Sequence, residues 1–96
     1  SRLSDFKAEL IELLPSLRAF ARSLAHNPAQ ADDLVQDTLV KALANVERFE
    51  PGTNLRAWLF TILRNHYYSQ LRKSKREVED ADGKFAARLS TRPEQD

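Results

Sequence analysis

The sequence predicts an all-α fold, a small compact bundle of three to four helices. Three observations predict it. Only two of the 96 residues are glycine, and β-branched residues are sparse. No stretch alternates apolar with polar residues as a half-buried strand would. Apolar residues instead recur at intervals of three and four along three successive segments.

The first segment, about residues 5–25, opens on Ser4 and Asp5, which suit a helix cap. Its stripe is Leu10, Leu13, Leu14, Leu17, Phe20, Ala21 and Leu24. Pro15 interrupts it by removing a backbone donor and crowding the preceding turn. The apolar phase survives across Pro15, which predicts a kink or a tight restart near Leu14 and no long loop. His26, Asn27 and Pro28 form a stop, because the residue before proline avoids helical angles.

The second helix is expected over about 29–47, with the stripe Ala31, Leu34, Val35, Leu39, Ala42, Leu43 and Val46. Asp32 and Asp33 stand in its first turn, where negative charge suits the helix dipole. Glu50-Pro51-Gly52-Thr53 reads as a turn, with Thr53 or Asn54 as the next cap. The third helix runs over about 54–75, and its core stripe is Leu55, Trp58, Leu59, Ile62, Leu63, Tyr67 and Leu71. Residues 1–76 thus form one domain. Residues 77–96 lose periodicity and end polar, which predicts a mostly flexible acidic tail with at most a helical turn around Phe85 to Leu89.

The net charge of +1 conceals a segregation. Residues 54–76 hold Arg56, Arg64, Arg72, Lys73, Lys75 and Arg76 and no acid, whereas residues 26–50 set Asp32, Asp33, Asp37, Glu47 and Glu50 against Lys41 and Arg48. Adjacent acidic and basic stretches suit two partners of opposite sign. With no cysteine, disulfides and thiolate metal sites are excluded. No apolar run approaches the roughly 20 residues that span a bilayer, so no membrane partner is expected and the cytoplasm is the default location.

Catalysis finds no support. His26 and His66 lack an H-x-x-x-H partner, and there is no Gly-rich phosphate loop. Asp33 and Asp37, four apart, are too few to build a metal centre without further ligands from other helices. No catalytic residue, metal or cofactor is expected. The third helix offers binding chemistry instead. Opposite its core stripe stand Thr61, Arg64 or Asn65, Tyr68 and Arg72, a cationic, hydrogen-bonding and aromatic surface. Arginine neutralises phosphate, asparagine pairs with a base edge, and an exposed aromatic stacks on an unpaired base. On the second helix, Asp33, Gln36, Asp37 and Lys41 line one side beside Leu34, a pattern suited to a basic helical partner.

Three motifs carry a resemblance: A-D-D-L-V-Q-D-T-L-V-K-A-L (31–43), F-E-P-G-T-N-L-R-A-W-L-F-T-I-L-R-N (49–65), and the basic run to Arg76. Over residues 5–76 the chain resembles region 2 of bacterial extracytoplasmic-function (ECF) sigma factors. R-E-V-E-D-A-D-G (76–83) further resembles the group serving the alphaproteobacterial general stress response. The resemblance implies a promoter-recognition domain of the transcription machinery, with no enzymatic activity of its own. Asp33, Leu34, Gln36, Asp37 and Leu39 would dock on the β′ clamp helices of the RNA polymerase core. Phe49, Gly52, Thr53 and Asn54 of the loop, with Thr61, Arg64, Asn65, Tyr68, Arg72 and Lys73 of the third helix, would bind the promoter −10 element. They would help open it and hold its non-template strand with one base flipped into a pocket. An anti-sigma factor is the implied regulatory partner. The resemblance also implies a second, −35-reading domain, with residues 77–96 as the start of an interdomain linker. A sigma mimic that binds an anti-sigma factor without DNA is the alternative, and the intact basic-aromatic run argues against it. A helical adaptor with no nucleic-acid role is a third possibility.

Overall fold

In the computed structural model, residues 1–89 are described, with side chains to residue 80. Four α-helices are present among them: α1 (Arg2–Glu12), α2 (Leu14–Leu24), α3 (Pro28–Ala44) and α4 (Leu55–Leu89), with a 3₁₀ turn at Val46–Arg48 between the last two. The expected all-α bundle is what forms.

The first predicted helix is two. Leu13 joins them at φ −91° and ψ −3° and donates its N–H back to Glu9 and Leu10. Pro15 falls in the first turn of α2, where a missing N–H has no intrahelical partner to lose. The proline therefore restarts the helix at once instead of kinking it. The start also moves: Ser1, not Ser4 or Asp5, caps α1 by accepting the Ser4 N–H at 3.2 Å.

α3 begins with Asn27 accepting the Gln30 N–H at 2.8 Å, while the Gln30 side chain accepts the His26 N–H at 2.9 Å. This reciprocal pair satisfies two end donors, as in a capping box displaced by one residue. α3 ends at Ala44, and the expected last residues to Glu47 pass into the 3₁₀ turn.

α4 continues well past Lys75, to Leu89. The expected flexible tail is thus helical over its first thirteen residues, 77–89, and its remainder at 90–96 lies outside the described residues. Lost periodicity was a poor guide here. Residues 72–80 are all exposed, so no apolar stripe is required of them. Between Arg72 and Leu89 no proline intervenes, and the Arg, Lys, Glu, Ala and Leu residues there favour helix enough to outweigh Gly83. Its 35 residues span about 52 Å at 1.5 Å per residue, so the C-terminal half projects beyond the bundle.

The core is a leucine spine. Leu17, Leu34, Leu55, Leu59 and Leu63 are fully buried, with Phe6, Leu10, Ala21, Ala31, Val35, Ala42 and Phe49 around them. Each such side chain contributes roughly 1.5–3 kcal/mol by leaving water. Leu13, Leu14, Phe20, Leu24, Leu39, Val46, Trp58, Ile62 and Tyr67 pack against the spine and are partly buried. Leu43 and Leu71, both expected in the core, are exposed. Leu71 lines an open cavity beside Gln30 of α3. Leu43 is displaced by Thr38, which is fully buried because its hydroxyl donates to the Leu34 carbonyl at 2.7 Å. A satisfied hydroxyl is admitted to a core, and the buried face of α3 turns accordingly.

Candidate nucleic-acid and docking interface

The loop before α4 is built by local chemistry. Glu50 to Thr53 form a turn in which the Thr53 N–H and hydroxyl both donate to the Glu50 carbonyl, at 3.2 and 2.6 Å. Pro51 presets the first central angle, and Gly52 supplies φ +89° at the second, a conformation other residues rarely adopt. Asn54 caps α4 by accepting the Ala57 N–H at 3.1 Å. Gly52, Thr53 and Asn54 are exposed, as expected of contact residues.

Phe49 is not. At 8% exposure it lies 5.8 Å from Phe6 and 5.2 Å from Trp58, and its carbonyl accepts from Arg2 at 2.8 Å. Its expected role as a contact is corrected to that of an anchor. Aromatic burial fixes the loop's root and leaves its tip free.

On α4, Thr61, Arg64, Asn65, Tyr68 and Arg72 are all exposed and share one face at intervals of three and four. The Thr61 hydroxyl donates to the Ala57 carbonyl at 2.9 Å, and Arg72 donates to Ser69 Oγ at 3.2 Å. Tyr68 leans on the partly buried Tyr67, ring centroids 5.5 Å apart. No carboxylate approaches any α4 cation within 4.0 Å among the described residues. These charges are therefore available to an external anion. Arg56 stands apart, stacked 5.3 Å over the Phe60 ring, which is itself stacked on Phe20 at 4.6 Å.

Lys73 is also separate. It follows Arg72 by one residue and so stands about 100° around the helix. There it lines a cavity with Gln30, Tyr67, Gln70, Leu71, Ser74 and Glu77, away from the stripe to which it was assigned.

Asn65 opens onto a cavity of about 320 Å³. Trp58 and Ile62 supply apolar walls from α4, while Lys41, Asn45 and Arg48 reach it from the end of α3 and the 3₁₀ turn. Its size is at the low end for small-ligand pockets. Asn45 and Arg48 were not anticipated, and Lys41 was grouped with the docking face. Their spacing of four and three already placed them on one side of a helix, but no acid-free run drew notice to them.

α3 presents a different surface. Asp33 and Gln36 are exposed as expected, and Leu39 is partly buried. Leu34 is corrected from docking residue to core residue at 0% exposure. The accessible aliphatics are Val40 and Leu43, at 66% and 41%. With Asp33, Gln36 and Asp37 they occupy one helical face, acidic at one end and apolar at the other. Asp37 is only partly free, because His66 Nε2 meets its Oδ2 at 2.9 Å.

The chain matches Sigma-70 region 2 over residues 10–77. It belongs to the sigma-70 region 2 family. This bears out the resemblance on which the site residues were assigned. Among relatives of this region 2 chain, the ECF RNA polymerase sigma factor EcfG of Rhodopseudomonas palustris (strain TIE-1) is 59% identical over 95% of this chain and 50% of its own length. CarQ of Myxococcus xanthus, an RNA polymerase sigma factor, is 34% identical over 64% of this chain and 35% of its own. The sigma factor RpoE of Bartonella quintana, solved in complex with the anti-sigma factor NepR, superposes with a TM-score of 0.76. It is 63% identical, and the match covers 82% of this chain and 49% of that one. The region 2 chain thus spans about half the length, or less, of the relatives it matches. No helix among the described residues is long and apolar enough to cross a membrane.

Proposed function

We propose that this chain is the promoter-opening domain of an ECF-type sigma factor, docking on RNA polymerase through α3 and holding the −10 non-template strand on α4. The observation that carries this is the cavity beneath Asn65, walled by Trp58 and Ile62 and ringed by Lys41, Asn45 and Arg48, at the edge of an acid-free cationic stripe. Unstacking a base costs a few kcal/mol. An apolar pocket that receives it, with amides at its rim to read its edge, offsets that cost. Arg64 and Arg72, with Lys41 and Arg48, hold the flanking phosphates, and Tyr68 stacks on a neighbouring base.

The clamp helices of the β′ subunit would meet Asp33, Gln36, Val40 and Leu43. Residues 77–96 would lead toward a second, −35-reading domain, in keeping with relatives about twice as long. An anti-sigma factor is the regulatory partner we infer, because the Bartonella quintana sigma factor is solved with one. Such a partner needs to cover only the α3 face to block docking.

The test is a panel of labelled −10 oligonucleotides, single- and double-stranded, titrated at two salt concentrations. Four phosphate-neutralising cations imply a slope of log affinity on log salt of about −3 on a single strand, at roughly −0.7 each. Asn65→Ala removes preference at one base position, worth about 1–3 kcal/mol. Equal loss on every oligonucleotide would remove Asn65 as a reader. Failure of the wild-type chain to prefer any sequence, with or without polymerase, would favour a sigma mimic that binds only an anti-sigma factor.

A further inference from the structure

One hydrogen bond joins the two working helices. His66 Nε2–H donates to Asp37 Oδ2 at 2.9 Å across 29 residues of sequence. It is the one ionisable side-chain pair within 4.0 Å among the described residues. The His66 side chain is 17% exposed and that of Asp37 46%. The bond therefore sits at the seam between α3 and α4, sheltered on one side and open on the other.

The buried residues that α3 and α4 bring to the core include the aliphatics Leu34, Val35, Leu59 and Leu63. Such packing is non-directional, so the apolar stripe orients α4 toward the core without selecting one fine rotation. A ring donor on a carboxylate oxygen is directional, because its strength falls steeply away from linearity. His66 immediately follows Asn65, so the rotation of α4 that the bond selects also aims Asn65 at the cavity. Asp37, in turn, lies on the α3 face with Asp33, Gln36 and Val40. Its second carboxylate oxygen takes no hydrogen bond among the described residues and is open to an outside donor.

We propose that His66 is a positioning residue: its bond to Asp37 holds Asn65 in register over the base cavity, and it makes one carboxylate serve both the docking face and the reading face. This rests on the base-reading role given to Asn65. The contribution lies in base preference, not in phosphate attraction, because His66 faces α3 and not the cationic stripe.

The experiment measures the affinity of this chain for the best and the worst single-stranded −10 oligonucleotide, and takes their ratio. His66→Ala is expected to lower that ratio about three- to tenfold, toward the lower end of the coupling between residues in contact. Affinity for the worst oligonucleotide and the salt slope should stay at wild-type values. His66→Gln, which keeps a donor at similar reach, should restore most of the ratio. Asp37→Ala should lower it as His66→Ala does, and the double variant should be no worse than either. A merely structural histidine would lower the melting temperature and leave the ratio unchanged, or would lower both affinities together. Either result overturns the proposal, as would additive losses in the double variant. A wild-type chain with no base preference would instead overturn the underlying assignment of Asn65, and the positioning role with it.

Discussion

α3 and α4 are packed on one leucine spine and turn opposite chemistry to solvent. α3 shows Asp33 and Gln36 followed by Val40 and Leu43, a face that is acidic and then apolar. α4 shows Arg64, Asn65, Tyr68 and Arg72 with no carboxylate near them among the described residues. Acid on the stripe would repel a phosphate backbone, and the acids that α4 does carry, from Glu77 onward, come after it in sequence. The contrast between the acidic face of α3 and the cationic stripe of α4 suits two partners of opposite sign. The shared spine holds the two helices together, and His66 with Asp37 is the one side-chain hydrogen bond between them among the described residues.

That comparison is broken most severely from the inside. Leu34 is fully buried beneath both faces. Leu34→Ala should cost about 2–5 kcal/mol by loss of transfer energy and by the cavity left behind. Chemical denaturation followed by circular dichroism should show a lower midpoint, and docking and DNA binding should fall together. Loss of one binding function without the other would mean that the two faces do not share a core.

A smaller effect separates the faces. Val40 is 66% exposed and touches neither the spine nor the base cavity. Val40→Lys should weaken polymerase binding about tenfold, since it puts a cation where a basic partner is expected. The denaturation midpoint should stay within about 0.5 kcal/mol of wild type, as for most surface changes. Pull-down of polymerase core and oligonucleotide binding, measured on the same preparation, distinguish the two faces. Weakened binding to DNA as well would show that the Val40 face serves both partners.

The bundle, its order and the α4 stripe were legible in the sequence because helical spacing and capping residues are local signals. Leu59 and Leu63 could hardly be anything but core. The errors share a cause. Thr38 is polar in the sequence, and only the carbonyl of Leu34 makes it acceptable inside, so the outward face of α3 was placed on Leu39 instead of Val40. Phe49 was assigned to the loop it opens, whereas Phe6, more than forty residues earlier, packs on its ring. The polar partners of Asn65 around the cavity come from the end of α3 and the 3₁₀ turn, and Asp37 pairs with a histidine on another helix. Both are tertiary facts with no local signature. The length of α4 was missed for the opposite reason, since a projecting helix needs propensity without a stripe.

The finest test lies within α4 itself. Arg72 and Lys73 are neighbours of like charge, and from sequence both belonged to the DNA surface. Arg72 stands on the stripe with Tyr68 and Asn65, while Lys73 lines the cavity beside Gln30 and Glu77. Arg72→Ala should flatten the salt slope on single-stranded DNA by about 0.7 and weaken all sequences alike. Lys73→Ala should change the slope by much less, because residue 73 stands about 100° around the helix from Arg72. Titrations of both variants at three or more salt concentrations resolve a difference of this size. Equal slopes would mean that the strand wraps α4 more broadly than one face, and that the stripe defined by Asn65 and Tyr68 is too narrow.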